Sequence, residues 1–274
     1  MFTEILGRVA VVIVFLLPIS VVALVGRDRL SALRREWRDR LRVSWPIVTV
    51  LIAVLLLNRV MRWSARRITD RVGIHMTETF YGLEGEFILV FQSLEAPAVT
   101  TYFTLIYVYG YTFMLLFPVV AYFALSDTRP FRRLLAAYAL NYAIGLVFYL
   151  VVIALGPRNV MPDVLGQTML YDTSPEYQHL TREVNRATNV FPSLHTSLSA
   201  TVAVFAYWTR DEYPRWAPVA VVLALSVWIS TMYLGLHWAI DVLAGLVLAG
   251  VCVGLSQLLV GRWSVTDALE RLDR

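Results

Sequence analysis

Long apolar runs separated by short arginine-rich links dominate the chain. The runs are Val9 to Val25, about Trp45 to Met61, Ala98 to Leu125, Leu134 to Leu155, and Pro192 to Tyr207 or Trp208. After the polar turn Arg210-Asp211-Glu212-Tyr213-Pro214-Arg215, some 45 residues are almost wholly apolar. No single helix crosses about 30 Å of hydrocarbon with that length, so this stretch is expected to form a hairpin bending near Gly235. The pattern predicts an all-α polytopic membrane bundle of about seven spans. Pro18 sits inside the first run, where neighbouring helices can satisfy the freed carbonyl. No small-residue cleavage pattern follows Val25, so the run is read as a span and not as a signal peptide.

The links carry the topology. Between Arg27 and Arg42, seven arginines interleave with Leu30, Leu33, Trp37 and Leu41, which predicts an amphipathic helix lying against anionic lipid on the cytoplasmic side. That placement puts Arg129 to Arg133, Arg210 to Arg215 and the C-terminal tail inside, and puts the Gly235 bend outside. Arg62 to Pro97 is mixed. Arg62, Arg66, Arg67 and Arg71 come first and remain outside in this arrangement; then Phe80, Leu83, Phe87, Ile88 and Phe91 recur at helical intervals around Glu84 and Glu86. One or two helices lying in the interface or dipping back, short of a full crossing, fit it; Glu84 and Glu86 sit on a solvated face, or line the site if their helix dips inward. Gly156 to Asn189 is a long polar connection on the outer side, and loops of that length are usually functional. The expected divisions are 1–43 for the N-terminal span and basic interfacial helix, 44–261 for the membrane core, and 262–274 for a polar, helical tail.

Composition agrees. Of 274 residues, 58% are hydrophobic and 16% charged, which excludes a water-soluble globule. The net charge of +4 resides in the links, where arginine sets orientation, so no nucleic-acid partner is inferred. The single cysteine, Cys252, lies in an apolar run and reads as a buried thiol. All 24 basic residues are arginine, so any fixed cation that binds an anion here is a guanidinium.

Unusual polar residues gather at the outer ends of the last three spans. Phe191-Pro192-Ser193-Leu194-His195-Thr196-Ser197 opens one of them, and a helix N-terminus offers free N–H groups and partial positive charge to a phosphate. At the hairpin bend stands Ser230-Thr231-Met232-Tyr233-Leu234-Gly235-Leu236-His237-Trp238-Ala239-Ile240-Asp241. His237 and Asp241 are four apart, so the carboxylate can orient the ring. Titratable groups inside an apolar span are costly unless paired or facing a wet cavity, so two histidines at one depth call for a reason. They suit phosphoryl transfer, with one imidazole attacking phosphorus and the other protonating the departing oxygen. His195, His237 and Asp241 could instead hold zinc, but a helix N-terminus beside arginines suits an anion better. His75 and His179 read as solvated loop residues.

Pro192-Ser193-Leu194-His195 and Ser230 to Asp241, with 41 residues between the histidines, resemble the second and third motifs of the type-2 phosphatidic acid phosphatase superfamily. Leu194 in place of the motif's Gly, together with Pro157-Arg158-Asn159, resembles its inositolphosphorylceramide-synthase-like branch. The resemblance covers roughly Ala98 to Gly261. It implies a phosphatase-type six-helix core in the cell membrane, with a multi-pass chain and a site on the non-cytoplasmic side. It also implies His237 as the nucleophile that becomes phosphohistidine, Asp241 as its orienting partner and His195 as the general acid. Ser193 would hold phosphoryl oxygens, and no metal ion or other cofactor is needed. Two departures stand out. The family's third-motif Arg falls at Thr231, and its first motif has no literal match, since Arg129-Pro130 lies on the far side. Arg158 is the better stand-in, with Arg182 and Arg186 behind it.

The implied partners are a membrane lipid substrate, the bilayer and, for a transferase, an alcohol acceptor. A lipid phosphate or diphosphate phosphatase is the first reading and a lipid phosphotransferase the second. A lipid-binding or transport protein without turnover is the third, supported by the missing arginine at 231. The residues leave the oligomeric state open.

Overall fold

A computed structural model describes residues 2–162, 164–165 and 187–261. The fold is an all-α membrane bundle. Its elements are α1 (Phe2–Leu24), α2 (Arg27–Val72), β1 (Ile74–His75), α3 (Thr77–Glu84), α4 (Leu89–Gln92), α5 (Pro97–Leu105), α6 (Tyr111–Phe123), α7 (Arg129–Val151), β2 (Val152–Ile153), α8 (Pro157–Val160), α9 (Leu194–Trp208), α10 (Trp216–Tyr233) and α11 (Ala239–Leu259). A π-helical turn, Ile106–Gly110, joins α5 to α6. β1 and β2 make a two-residue parallel ladder, Ile74 with Val152 and His75 with Ile153.

Among the described residues, six helices are long and apolar enough to cross a membrane: Leu6–Leu24, Arg27–Met61, Pro97–Phe123, Arg129–Val151, Trp216–Tyr233 and Ala239–Leu259. The remaining expected span is α9, whose 15 residues rise only about 22 Å. It can be short because it packs against α6, α7, α10 and α11 and buries most of its length, so it need not match the thickness of the lipid.

Two expectations about the N-terminal half change. The basic segment Arg27–Arg42 is not a separate interfacial helix: it runs unbroken through the second span and on through the Arg62–Arg71 cluster to Val72 as one 46-residue helix. Nothing in Val43-Ser44 stops a helix, and Pro46 is accommodated inside it. Nor do all its arginines face lipid. Arg40 is buried, donating to the carbonyls of Phe123 (3.0 Å) and Leu125 and pairing with Glu36 at 2.8 Å, so it satisfies the frayed end of α6. Arg29 pairs with Glu212 and lies 4.7 Å over the Tyr213 ring. These contacts gather the far ends of α6, α9 and α10 around the basic end of α2. Beyond Val72, the short helices α3 and α4 match the expected interfacial pieces.

The core between the helices is aromatic and aliphatic. Trp216, Phe117, Met114, Leu134, Val202 and Phe205 are fully or almost fully buried between α6, α7, α9 and α10. The faces of α1, α2 and α11 that carry Phe15, Ile52 and Val247 stay exposed, as lipid-facing surfaces do. Two asparagines inside the bundle are paired between helices: Asn141 of α7 bonds Thr201 at 3.2 Å and accepts from Ser197, and Asn58 of α2 reaches the Tyr142 carbonyl at 3.2 Å. Such bonds fix the rotation of each helix about its axis. Cys252 is buried, as its apolar run predicts.

Candidate active site

The bend at Gly235 is built from backbone geometry. Gly235 has φ +65°, Leu236 N–H reaches the Thr231 carbonyl at 3.0 Å and Gly235 N–H reaches that of Met232 at 2.9 Å. This is a Schellman closure of α10, which only a residue free to adopt positive φ completes without strain. His237 N–H also bonds the Thr231 carbonyl, at 3.1 Å, so the turn that ends α10 sets the place of His237. The Thr231 hydroxyl turns back to the Trp228 carbonyl at 2.8 Å. Its place in the motif is therefore filled by a group that holds its own helix.

Asp241 is the third residue of α11 and reaches back in two directions. Its Oδ2 accepts from Trp238 N–H at 2.8 Å and stands 3.3 Å from His237 Nδ1. One carboxylate therefore caps the helix and orients the imidazole. Asp241 is fully buried, and its Oδ1 has no hydrogen-bond partner among the described residues. His237 is 3% exposed. Burial lowers its imidazole to about 4, a hydrogen bond to the Val190 backbone opposes that shift, and the nearby Arg158 guanidinium adds to it. Burial thus favours the uncharged ring, the form with a nitrogen lone pair available for attack.

Ser193 caps α9, its hydroxyl oxygen accepting from Thr196 N–H at 3.3 Å and from the Thr196 hydroxyl at 3.1 Å. Its own N–H donates to the Asp241 carbonyl at 3.0 Å, tying the starts of α9 and α11 together. That tie brings His195 to His237, with ring centroids 6.3 Å apart. Both lie within reach of one phosphoryl group, given hydrogen bonds of about 2.6–3.2 Å on either side of it.

Arg158 enters from α8, its N–H bonding the Gly235 carbonyl at 3.0 Å. The approach is close enough that a side chain on Gly156 would collide with the Leu236 carbonyl. Trp238 fastens the same junction, its indole donating to the Leu155 carbonyl at 2.9 Å. Five of the expected site residues therefore meet here: His195, His237, Asp241, Ser193 and Arg158. Thr231 adjoins them but serves the turn. Arg182, Arg186 and His179 lie outside the described residues. His75 is exposed in β1, and Arg129 begins α7 at the opposite end of a 23-residue helix.

Two features exceed the sequence expectations. Glu84, expected on a solvated face unless its helix dipped inward, does point inward, but as a helix cap: its carboxylate accepts from Ala239 N–H at 2.8 Å and from Ile240 N–H. An acid at a helix N-terminus is favourable, and here it comes from 155 residues away. Glu86 stays exposed. His195 is sandwiched by tyrosines of the third span, with Tyr107 at 4.6 Å and 25° and Tyr111 at 4.5 Å and 42° between ring planes. The aromatic richness of Ala98 to Leu125 was the only sign of them in the chain.

Among the described residues no group of three or more His, Cys, Asp and Glu is arranged to hold a metal ion. Compared with known proteins, residues 72–255 match the PAP2 superfamily. An uncharacterized protein of Methanocaldococcus jannaschii is 29% identical over 164 residues, covering 58% of this chain and 62% of that protein. The chain thus spans about three fifths of that relative's length. No solved structure matches.

Proposed function

Because the chain belongs to the PAP2 superfamily, whose members are phosphoryl-transfer enzymes, we propose that it is a metal-independent phosphatase of lipid phosphates or diphosphates. The observation that carries the reading is the approach of His195 and His237 to 6.3 Å, from two helices tied at their starts, with Asp241 on His237 Nδ1. In the first step the other nitrogen of His237 forms a bond to phosphorus as the bond to the lipid oxygen breaks. The electron pair leaves on that oxygen and takes the proton of His195. In the second step water, deprotonated by His195, attacks phosphorus and releases His237 with inorganic phosphate. Asp241 holds the ring tautomer and stabilises the charge that develops on it. Arg158, Ser193 and the N–H of His195 hold the phosphoryl oxygens, with Arg182, Arg186 and the Thr231 position as further candidates.

The substrate's tails remain in the bilayer while its phosphate reaches the two histidines. The gathering of Arg29, Arg40, Arg129 and Arg210 at the far end of the bundle supports a site on the non-cytoplasmic face of the cell membrane. Transfer to an alcohol, the reading suggested by Pro157-Arg158-Asn159 and Leu194, shares the first step and differs only in the acceptor. Incubating the purified protein with a lipid phosphate, with and without inositol, separates the readings. Free phosphate supports the phosphatase, a new inositol phosphate monoester supports the transferase, and neither product with either acceptor refutes both and favours a binding protein.

A further inference from the structure

We propose that Tyr107 and Tyr111 are positioning residues for the general acid, whose ring faces hold the His195 imidazole and favour its protonated form. The inference rests on the phosphohistidine reading above.

The two histidines are supported by different chemistry. His237 has Asp241 at 3.3 Å; His195 has no hydrogen bond to a carboxylate among the described residues, and its ring neighbours are Tyr107, Tyr111 and His237. Each tyrosine centroid is within 5 Å of the His195 centroid, inside the range of about 6 Å over which an aromatic face attracts a cation. The difference follows from what each ring must do. A nucleophile benefits from a carboxylate that stabilises the charge it gains. An acid must begin the first step protonated and then give the proton away, and a carboxylate in contact with it would hold the proton back. An aromatic face attracts the imidazolium without offering it a base.

The backbone is shaped to the same end. Tyr107 lies in the π-helical turn Ile106–Gly110 and Tyr111 follows directly on it. Such wide turns are rare within helices and frequently occur at functional sites. Here the turn presents both rings to one imidazole on another helix. If Tyr107 and Tyr111 were only filling space, any apolar side chain of similar volume would serve.

The test exploits the leaving group. The full-length protein in detergent is given dodecyl phosphate, whose alkoxide needs a proton to depart, or p-nitrophenyl phosphate, whose phenolate does not. Single-turnover formation of the phosphoenzyme is followed for both. Removing a general acid costs about 10²–10⁴-fold where a proton is needed. Tyr107→Leu and Tyr111→Leu are each expected to slow the dodecyl reaction about tenfold, in proportion to a lost cation–π contact. The p-nitrophenyl reaction should change less than about threefold, and Phe at either position should restore most of the dodecyl rate because it keeps the face.

Equal losses with the two substrates would overturn the inference, since that pattern marks general damage to the site. So would Leu variants without loss, or Phe variants as slow as Leu. If the wild-type protein forms no phosphoenzyme from either compound, the phosphatase reading fails and takes the inference with it. A wild-type protein active on both without the leaving-group contrast refutes the tyrosine role alone.

Discussion

Gly245→Ala probes whether the contact between the starts of α9 and α11 sets the chemistry. Gly245 lies in α11 where that helix passes Ser193. A Cβ there would stand 2.6 Å from the Ser193 carbonyl oxygen, 3.0 Å from Thr196 Cβ and 3.3 Å from Thr196 Cγ2. Ordinary contact begins near 3.4 Å, so the helices must part by about 0.8 Å at this level. The nearest atom belongs to the backbone and cannot rotate away. The same residue donates its N–H to the Asp241 carbonyl and begins the helix that carries His195, so parting the helices moves His195 away from His237. Two effects on stability oppose each other: alanine improves helix propensity by about 1 kcal/mol, and overpacking costs about 1–3 kcal/mol. The net loss is therefore small. Turnover is the more sensitive quantity, since a misplacement of about 1 Å costs on the order of 10²-fold in rate. We expect phosphate release to fall by tens of fold with only a slight drop in melting temperature. Gly250→Ala and Gly254→Ala on the same helix meet nothing within 4 Å and serve as controls that should keep the rate. Wild-type turnover in Gly245→Ala would refute the claim that this contact fixes the distance between the imidazoles.

Asp241→Asn should slow the chemical step by roughly two to four orders of magnitude with little change in KM, because the amide no longer holds the required tautomer or the developing charge; a normal kcat would remove Asp241 from that role. Glu84→Ala leaves the N–H groups of Ala239 and Ile240 without their acceptor, so stability should drop by about 1 kcal/mol. Amide exchange at those two positions should accelerate, and unchanged exchange would count against the cap. His237 is depressed to about 4, chiefly by burial, so it is neutral and nucleophilic above that pH and charged below it. The acid limb of kcat/KM should accordingly fall near pH 4 and not near 6.5. Arg158→Gln removes one cause of the depression, so the limb should move upward, and a limb that stays put would separate Arg158 from the imidazole.

The bundle was legible because hydropathy is a local property: each span announces itself in about 20 residues. The His237–Asp241 pair was legible from its short spacing, although not on the shared helix face that the spacing suggests: His237 lies in the turn before Trp238, and Asp241 reaches back to it from the first turn of α11. What depends on distant contacts was not. Glu84 looks like one acid on an amphipathic helix, and only the fold shows that it meets Ala239 and Ile240. Tyr107 and Tyr111 stand among other aromatic residues, so no periodicity marks the two that face His195. The continuity of α2 was hidden because the change near Val43 from arginine-rich to apolar composition reads as a boundary between an interfacial helix and a span, although nothing there stops the helix. Leu194, a departure from the family motif, is absorbed by a glycine far off in the chain: a Cβ on Gly145 would stand 2.7 Å from the Leu194 side chain. Volume added at one site is matched by volume withheld at another, which a motif read alone cannot reveal.

Taken together, these distant contacts give the two helix starts different tasks. The first turn of α11 is closed, because Asp241 takes the N–H of Trp238 while Glu84 takes those of Ala239 and Ile240. An anion finds no donor there, although the positive end of the helix dipole still faces His237. At the start of α9, Ser193 takes the N–H of Thr196, and the N–H of His195 meets no acceptor among the described residues. On the proposed mechanism, a phosphate is therefore drawn to the helix that carries His195 and is presented to His237 across the gap. In that orientation the leaving oxygen and the proton it needs belong to the same side of the site. If Glu84 were absent, α11 would compete for the phosphate, and His237 would have to attack a group bound at its own helix.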